Sequence, residues 1–122
     1  MKRLDSTRQR GYQTEELAAF YLQAKGYHIV KNNWQSKHFE IDLVAFEPER
    51  KAWLFVEVKS ALTIDKALRH FTTAKVQRLC YAIEDYIDQN RIESFDCQLD
   101  LIAISTDRFG TLTNIDHLTD VL

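Results

Sequence analysis

Glycine is nearly missing from this chain: 122 residues hold three, at positions 11, 26 and 110. Neither a phosphate-cradling P-loop nor a dinucleotide fingerprint can be written with them, and no G-x-S-x-G nucleophile elbow occurs. Cysteine is as scarce. Cys80 and Cys97 form no C-x-x-C pair, so no disulfide scaffold is indicated. The four histidines, at 28, 38, 70 and 117, have no zinc-ligand spacing with them. No apolar run approaches the roughly 18 residues of a membrane span. The first ten residues, MKRLDSTRQR, carry charge without an apolar stretch behind them, so no secretory signal is expected. A cytoplasmic protein with no membrane partner is the expectation. Chemistry, where present, has to run on carboxylates, lysines and a hard metal.

What the chain does contain is globular. Apolar residues make up 45% and charged residues 28%, and a single domain over 1–122 is expected. A chain of this length hides roughly two-thirds of its unfolded surface, enough for a core without staples. Net charge is −2, unevenly spread: residues 1–38 sum to +4 and residues 39–122 to −6. Within the acidic part, residues 59–78 carry Lys59, Lys66, Arg69, Lys75 and Arg78 against Asp65 alone. Two basic stretches bracket an acidic centre. They would suit phosphate contacts, and equally two solvated helix faces.

Hydrophobic spacing predicts a helix from about Ser6 to Lys25, with Leu17, Ala18, Tyr21 and Leu22 on one stripe and Gly26 as its stop. Tyr27–Trp34 reads as a short strand near an edge. Phe39–Phe46 and Trp53–Lys59 read as strands of a hairpin around the only proline, Pro48. Ala61–Thr72 lacks periodicity and is expected to be irregular. Thr73–Gln89 is a strong amphipathic helix. Gln98–Ser105 is apolar on both faces, as a central strand should be, and Leu112–Ile115 is a short strand. The expected fold is α/β, a mixed sheet flanked by few helices, in the order α, β, β, β, α, β, β.

The hairpin carries the informative residues. With paired positions summing to 99, Asp42 lies opposite Glu57 and Glu40 opposite Lys59. All four share a face, because side chains alternate along a strand. Cβ atoms of directly opposed residues are about 4.5–5.5 Å apart, and like charges so placed are destabilising. A hard divalent ion such as Mg²⁺ reverses that sign; it takes few carboxylates and keeps waters and room for phosphate oxygens. Lys59 would assist a water or stabilise charge on a phosphate. The plainer alternative is a half-exposed sheet in which Lys59 and Glu40 form a cross-strand ion pair. Glu15 falls in line with Ala18, Ala19 and Leu22 at the border of the apolar stripe, where it can reach a sheet-borne site; Glu16 faces solvent. An acid favoured by the helix dipole is the ordinary alternative for Glu15.

From Gly11 to Ile104 the chain resembles the YraN-like bacterial family, through ELAAFYL with a following G-Y, N-x-W, EIDLVAF, FVEVKS, KVQRL and LDLIAI. That family is placed in the restriction-endonuclease-like superfamily, with a PD-(D/E)xK signature and an αβββαβ core. The resemblance implies a Mg²⁺- or Mn²⁺-dependent nuclease, a phosphodiester hydrolase. Asp42, Glu57 and Lys59 would be its catalytic triplet and Glu15 the helix glutamate. Asp42, Glu57 and the Val58 carbonyl would hold the metal, and Lys75 would contact phosphate. Thr14 and Phe39 depart from the pattern, standing where glycine is usual; Gln98 stands where an arginine is common. The expected partner is nucleic acid, DNA before RNA, with Arg8, Arg10, Lys75 and Arg78 as contacts. Branched or damaged DNA is a substrate suggested by the resemblance to resolvase-type enzymes, and a homodimer would suit a symmetric junction. The alternative is a catalytically silent module of the same fold that binds nucleic acid or a protein partner. A third reading, an interaction protein, would need an exposed patch from Trp34, Trp53, Phe71 and Phe109.

Overall fold

The computed structural model describes residues 6–93 and 96–122, residues 6–12 by their backbone alone. Helix α1 (Ser6–Ala24) leads into β1 (His28–Gln35), β2 (Glu40–Glu47) and β3 (Ala52–Ala61). A one-turn helix α2 (Ile64–Leu68) and the long α3 (Thr73–Gln89) follow, then β4 (Asp96–Thr106) and β5 (Leu112–Leu118). The described strands form one five-stranded sheet in sequence order, β1 to β5. Only β3 and β4 run parallel; the other neighbours are antiparallel. This mixed α/β arrangement, a meander followed by a helical crossover, agrees with a restriction-endonuclease-like core.

The sheet is packed on both faces. On one side Ala18 and Leu22 of α1 meet Leu43, Ala45, Leu54, Val56, Ile102 and Ile104. On the other, Leu79, Ala82, Ile83 and Tyr86 of α3 meet Ile41, Val44, Phe55 and Leu99. Alternation along β2 and β3 delivers successive side chains to opposite cores. Strand β4 is buried from Gln98 to Thr106, since it has neighbours on both edges and helices on both faces. Strand β1 is an edge, as its polar sequence predicts.

Ala61–Thr72 is not wholly irregular. It contains α2, capped by Thr63, whose hydroxyl accepts the Lys66 N–H at 3.2 Å, and anchored by the fully buried Ala67. One turn of helix is too short for periodicity to register. The aromatic residues considered for an exposed patch also disperse: Trp34 is buried, Trp53 and Phe71 pack on the α3-side core, and Phe109 alone is strongly exposed.

A buried polar network fixes α1 across the sheet. The His117 Nε2 lies 2.7 Å from Asp100 Oδ2, and the Tyr21 hydroxyl is 3.1 Å from His117 Nδ1. The Gln98 amide and the Asp120 N–H both donate to Asp100 Oδ1 at 2.9 Å. Gln98 is thus spent inside the molecule rather than on a phosphate-binding surface.

Candidate active site

The hairpin has the predicted register: Leu43 pairs with Val56, and each pair through Glu47–Ala52 sums to 99. The ladder ends at Leu43–Val56. One step further stand Asp42 and Glu57. Here β2 has left β3, and the Asp42 carboxylate takes the place of a backbone acceptor: its Oδ2 receives the Val58 N–H at 2.8 Å. Strand β3 continues to Ala61 on its parallel partner β4 alone, so Glu57 and Lys59 remain on a supported strand. On the other flank, Glu40 pairs with Gln35 of β1 rather than with Lys59. The ion pair that Lys59 makes is with Glu57, at 3.8 Å.

Helix α1 completes the group. Docking of Ala18 and Leu22 on the sheet turns Glu15 toward Asp42 and leaves Glu16 exposed. Asp42 acts on two carboxyls, Glu15 and Glu57, and raises the pKa of both. Burial, then Asp42, pushes Glu57 up from 4.5 to about 9, against the pull of Lys59. Burial, then Asp42, likewise pushes Glu15 up to about 7, while the Asn33 amide resists by bonding the carboxyl. Glu40 adds its charge to both. Like charges gathered at low dielectric cannot all ionise without a cation. Among the described residues no three His, Cys, Asp or Glu side chains converge into a complete metal-ligand set. The arrangement is a carboxylate pair, Asp42 and Glu57, with Glu15 beside Asp42.

Alternation along the sheet does not flag Asn33 as part of the site. It stands opposite Asp42, between the paired Asn32–Leu43 and Trp34–Ile41, with a left-handed φ of 51°. Asparagine tolerates that conformation better than most residues. The available signal was two adjacent asparagines inside a strand, where the residue is depleted.

Glu57 and Lys59 open into a cleft of about 410 Å³, walled by Phe39 from the β1–β2 turn and by Lys75, Arg78 and Leu79 of α3. Burial and the adjacent Lys59 hold Lys75 below the ordinary lysine range, with Glu57 and Asp42 pulling the other way. Two ammonium groups placed side by side repel, and an anion between them relieves that repulsion. Of the predicted site residues, Glu57, Lys59, Lys75 and Arg78 line this one cleft. Asp42 acts on Glu57 from beside it, and Glu15 lines a second cleft with Glu16, Asn32 and Asn33. Val58 contributes its N–H to Asp42. Arg8 and Arg10 fall at the start of α1, where side chains lie outside the described residues.

Residues 14–104, which span the site from Glu15 to Arg78, match the model of the uncharacterised protein family UPF0102. The chain belongs to that family. A UPF0102 protein of Sulfurimonas denitrificans is 34% identical over 109 residues, covering 89% of this chain and 97% of that protein. One of Prosthecochloris aestuarii is 34% identical over 116 residues, covering 90% of each chain. One of Shewanella woodyi is 37% identical over 109 residues, covering 88% of this chain and 91% of the other. The UPF0102 match ends at Ile104, within β4, so β5 with His117 lies beyond the matched segment.

No helix among the described residues is long and apolar enough to cross a membrane.

Proposed function

We propose that this UPF0102 protein is a metal-dependent nuclease that hydrolyses phosphodiester bonds of nucleic acid. The observation that carries the reading is the crowding of Glu15 and Glu57 on Asp42, with Glu57 and Lys59 opening into a cleft whose far wall is basic. Carboxyls pushed this far above their usual range and placed in a cleft are a functional-site signature.

The donor set fits a hard cation. All its groups are oxygens, and Mg²⁺ is ordinarily held by one or two carboxylates with waters completing the shell. Asp42 and Glu57 would hold it, with the Val58 carbonyl as a further donor; Glu15 would orient Asp42. When bound, Mg²⁺ or Mn²⁺ supplies Lewis acidity toward a phosphate oxygen and lowers the pKa of a coordinated water. Lys59, next to Glu57, positions a water or stabilises negative charge on the phosphate in the transition state. Lys75 and Arg78 hold the neighbouring phosphates. Branched or damaged DNA, and a two-fold homodimer acting on it, remain part of the proposal.

A second reading, a silent module of this fold that only binds, is favoured by one observation: Lys59 at 3.8 Å already offers Glu57 an internal counter-ion. A labelled panel of duplex, single-stranded, flap and four-way-junction DNA, plus RNA, separates the two. It is incubated with Mg²⁺, Mn²⁺ or EDTA, using the native protein and Lys59→Ala purified identically. Metal-dependent cutting lost in Lys59→Ala is the expected result. No cutting of any substrate by a folded protein that still binds nucleic acid would refute hydrolysis and leave the module.

A further inference from the structure

We infer that the cleft is built for an unpaired nucleotide, held by stacking on the ring of Phe39 beside the phosphate-binding cations, so that the substrate is a single strand or an unpaired segment. The inference rests on the reading of this cleft as a nucleic-acid site and adds to it what kind of strand enters.

Phe39 is placed there rigidly. It ends the turn between β1 and β2, in which the Ser36 N–H donates to the Phe39 carbonyl at 2.8 Å and the Phe39 N–H donates to Ser36 Oγ at 3.1 Å. Its ring lines the cleft, half-buried against the α3-side core. Tyr81 extends the platform: the two ring centroids are 5.9 Å apart with planes inclined by 36°, and Tyr81 is 47% exposed. Lys75 and Arg78 lie on the same helix as Tyr81, nearly two turns and one turn before it. A basic track interleaved with aromatic faces is the arrangement that holds unpaired strands, since every base has a face to stack whatever its sequence. Bases within a duplex already stack on one another and present only their edges in the grooves. The cleft volume of about 410 Å³ matches a site for a small molecule, which spans roughly 300–1,000 Å³. It suits one nucleotide rather than a double helix. Because the turn fixes the ring beforehand, little ordering opposes binding.

The test is fluorescence anisotropy with a labelled 12-nucleotide single strand and the same sequence as blunt duplex. Titrations are run in Ca²⁺ with strand integrity checked afterwards, on the native protein, Phe39→Leu and Tyr81→Ala. Phe39→Leu keeps apolar volume against the core and removes the ring; Tyr81→Ala changes an exposed side chain, and thermal unfolding verifies that both fold. The expected result is tighter binding of the single strand, weakened by about five- to 140-fold in Phe39→Leu, the ~1–3 kcal/mol of one base–aromatic stack. Duplex binding should be unchanged. The same sequence in RNA separates the two sugars. Equal or tighter duplex binding, or single-strand affinity within twofold of native in both variants, overturns the inference. Metal-dependent duplex cutting that ignores the rings overturns it and leaves the nuclease standing. Ring-dependent single-strand binding with no cutting in Mg²⁺ or Mn²⁺ upholds it and refutes hydrolysis. Failure of a folded protein to bind either strand overturns both.

Discussion

Replacing Glu57 by glutamine should make the metal-free protein more stable, against the general run of buried substitutions. Burial and Asp42 hold the Glu57 carboxyl at about 9, against an ordinary value of 4.5. A group whose pKa is raised by folding contributes fully below its unfolded value, and that contribution is lost as pH rises through the folded value. At pH 8 the folded chain keeps a proton that the unfolded chain has released. The cost is about 1.4 kcal/mol per pH unit above the unfolded value, on the order of 5 kcal/mol. Glutamine carries no such requirement, and its amide donates to Asp42 as the protonated carboxyl does. Burying that amide gives back about 1–3 kcal/mol. The net gain at pH 8 is about 2–4 kcal/mol, or roughly 8–16 °C in Tm at about 4 °C per kcal/mol for a chain of this size. At pH 5 the native carboxyl costs little, and the gain should vanish. Thermal unfolding followed by circular dichroism, in EDTA at both pH values, reads the difference directly. A variant no more stable than native at pH 8 would refute the claim that Glu57 is held in a repulsive cluster. Added Mg²⁺ should narrow the gap, because a ligand at 100 times its Kd stabilises the native protein by about 2.7 kcal/mol.

Asp100→Asn should have the opposite sign. Burial pushes the Asp100 carboxyl up, but hydrogen bonds from His117, the Asp120 N–H and Gln98 outweigh it and hold the group below its usual range. Breaking such a buried pair costs about 3–5 kcal/mol. Urea unfolding from pH 3 to 7 should show the native protein losing this contribution as pH falls through the depressed Asp100 value, and Asp100→Asn lacking that acid limb. Lys75→Ala and Arg78→Ala should each reduce the slope of log affinity against log salt for a single strand by about 0.7; an unchanged slope would remove that residue from the phosphate track. Thr72 caps α3 by accepting the Lys75 N–H at 3.2 Å. Thr72→Ala should lower stability by about 1 kcal/mol, measurable by denaturant titration.

The elements with long periodic or alternating patterns were legible in the sequence, and so was the hairpin register, because Pro48 marks the turn and a one-residue slip would turn every core side chain to the wrong face. Register alone was enough to place Asp42 next to Glu57. What it could not give is where pairing stops. The parting of β2 from β3 after Leu43–Val56 moves Glu40 to Gln35 and leaves Lys59 to Glu57, and it depends on β1 and on the left-handed turn at Asn33. Helix α2 escaped because one turn has no period. The Asp100–His117 pair escaped because its members are 17 residues apart on neighbouring strands, and a charged residue within an apolar run gives no sign of its partner.

The placement of Glu15 follows from packing far from the carboxylates. Left to themselves, Glu15, Asp42 and Glu57 would separate, since each deprotonation raises the energy of the others. They are kept together because the C-terminal half of α1 is held on the sheet. Leu22 and Ala18 are fully buried against three strands, and Tyr21 bonds to His117, which Asp100 ties to the centre of the sheet. Burying one leucine side chain contributes about 1.5–3 kcal/mol, so a few such contacts are enough to offset the local repulsion. The fold therefore stores at one strand fork an instability that its two cores offset. A sequence shaped for stability alone would have removed it with a single amide at position 57. Retaining these carboxyls where the sheet divides, with Glu57 facing Lys75 and Arg78 across the cleft, makes physical sense when a cation and a phosphate occupy the gap.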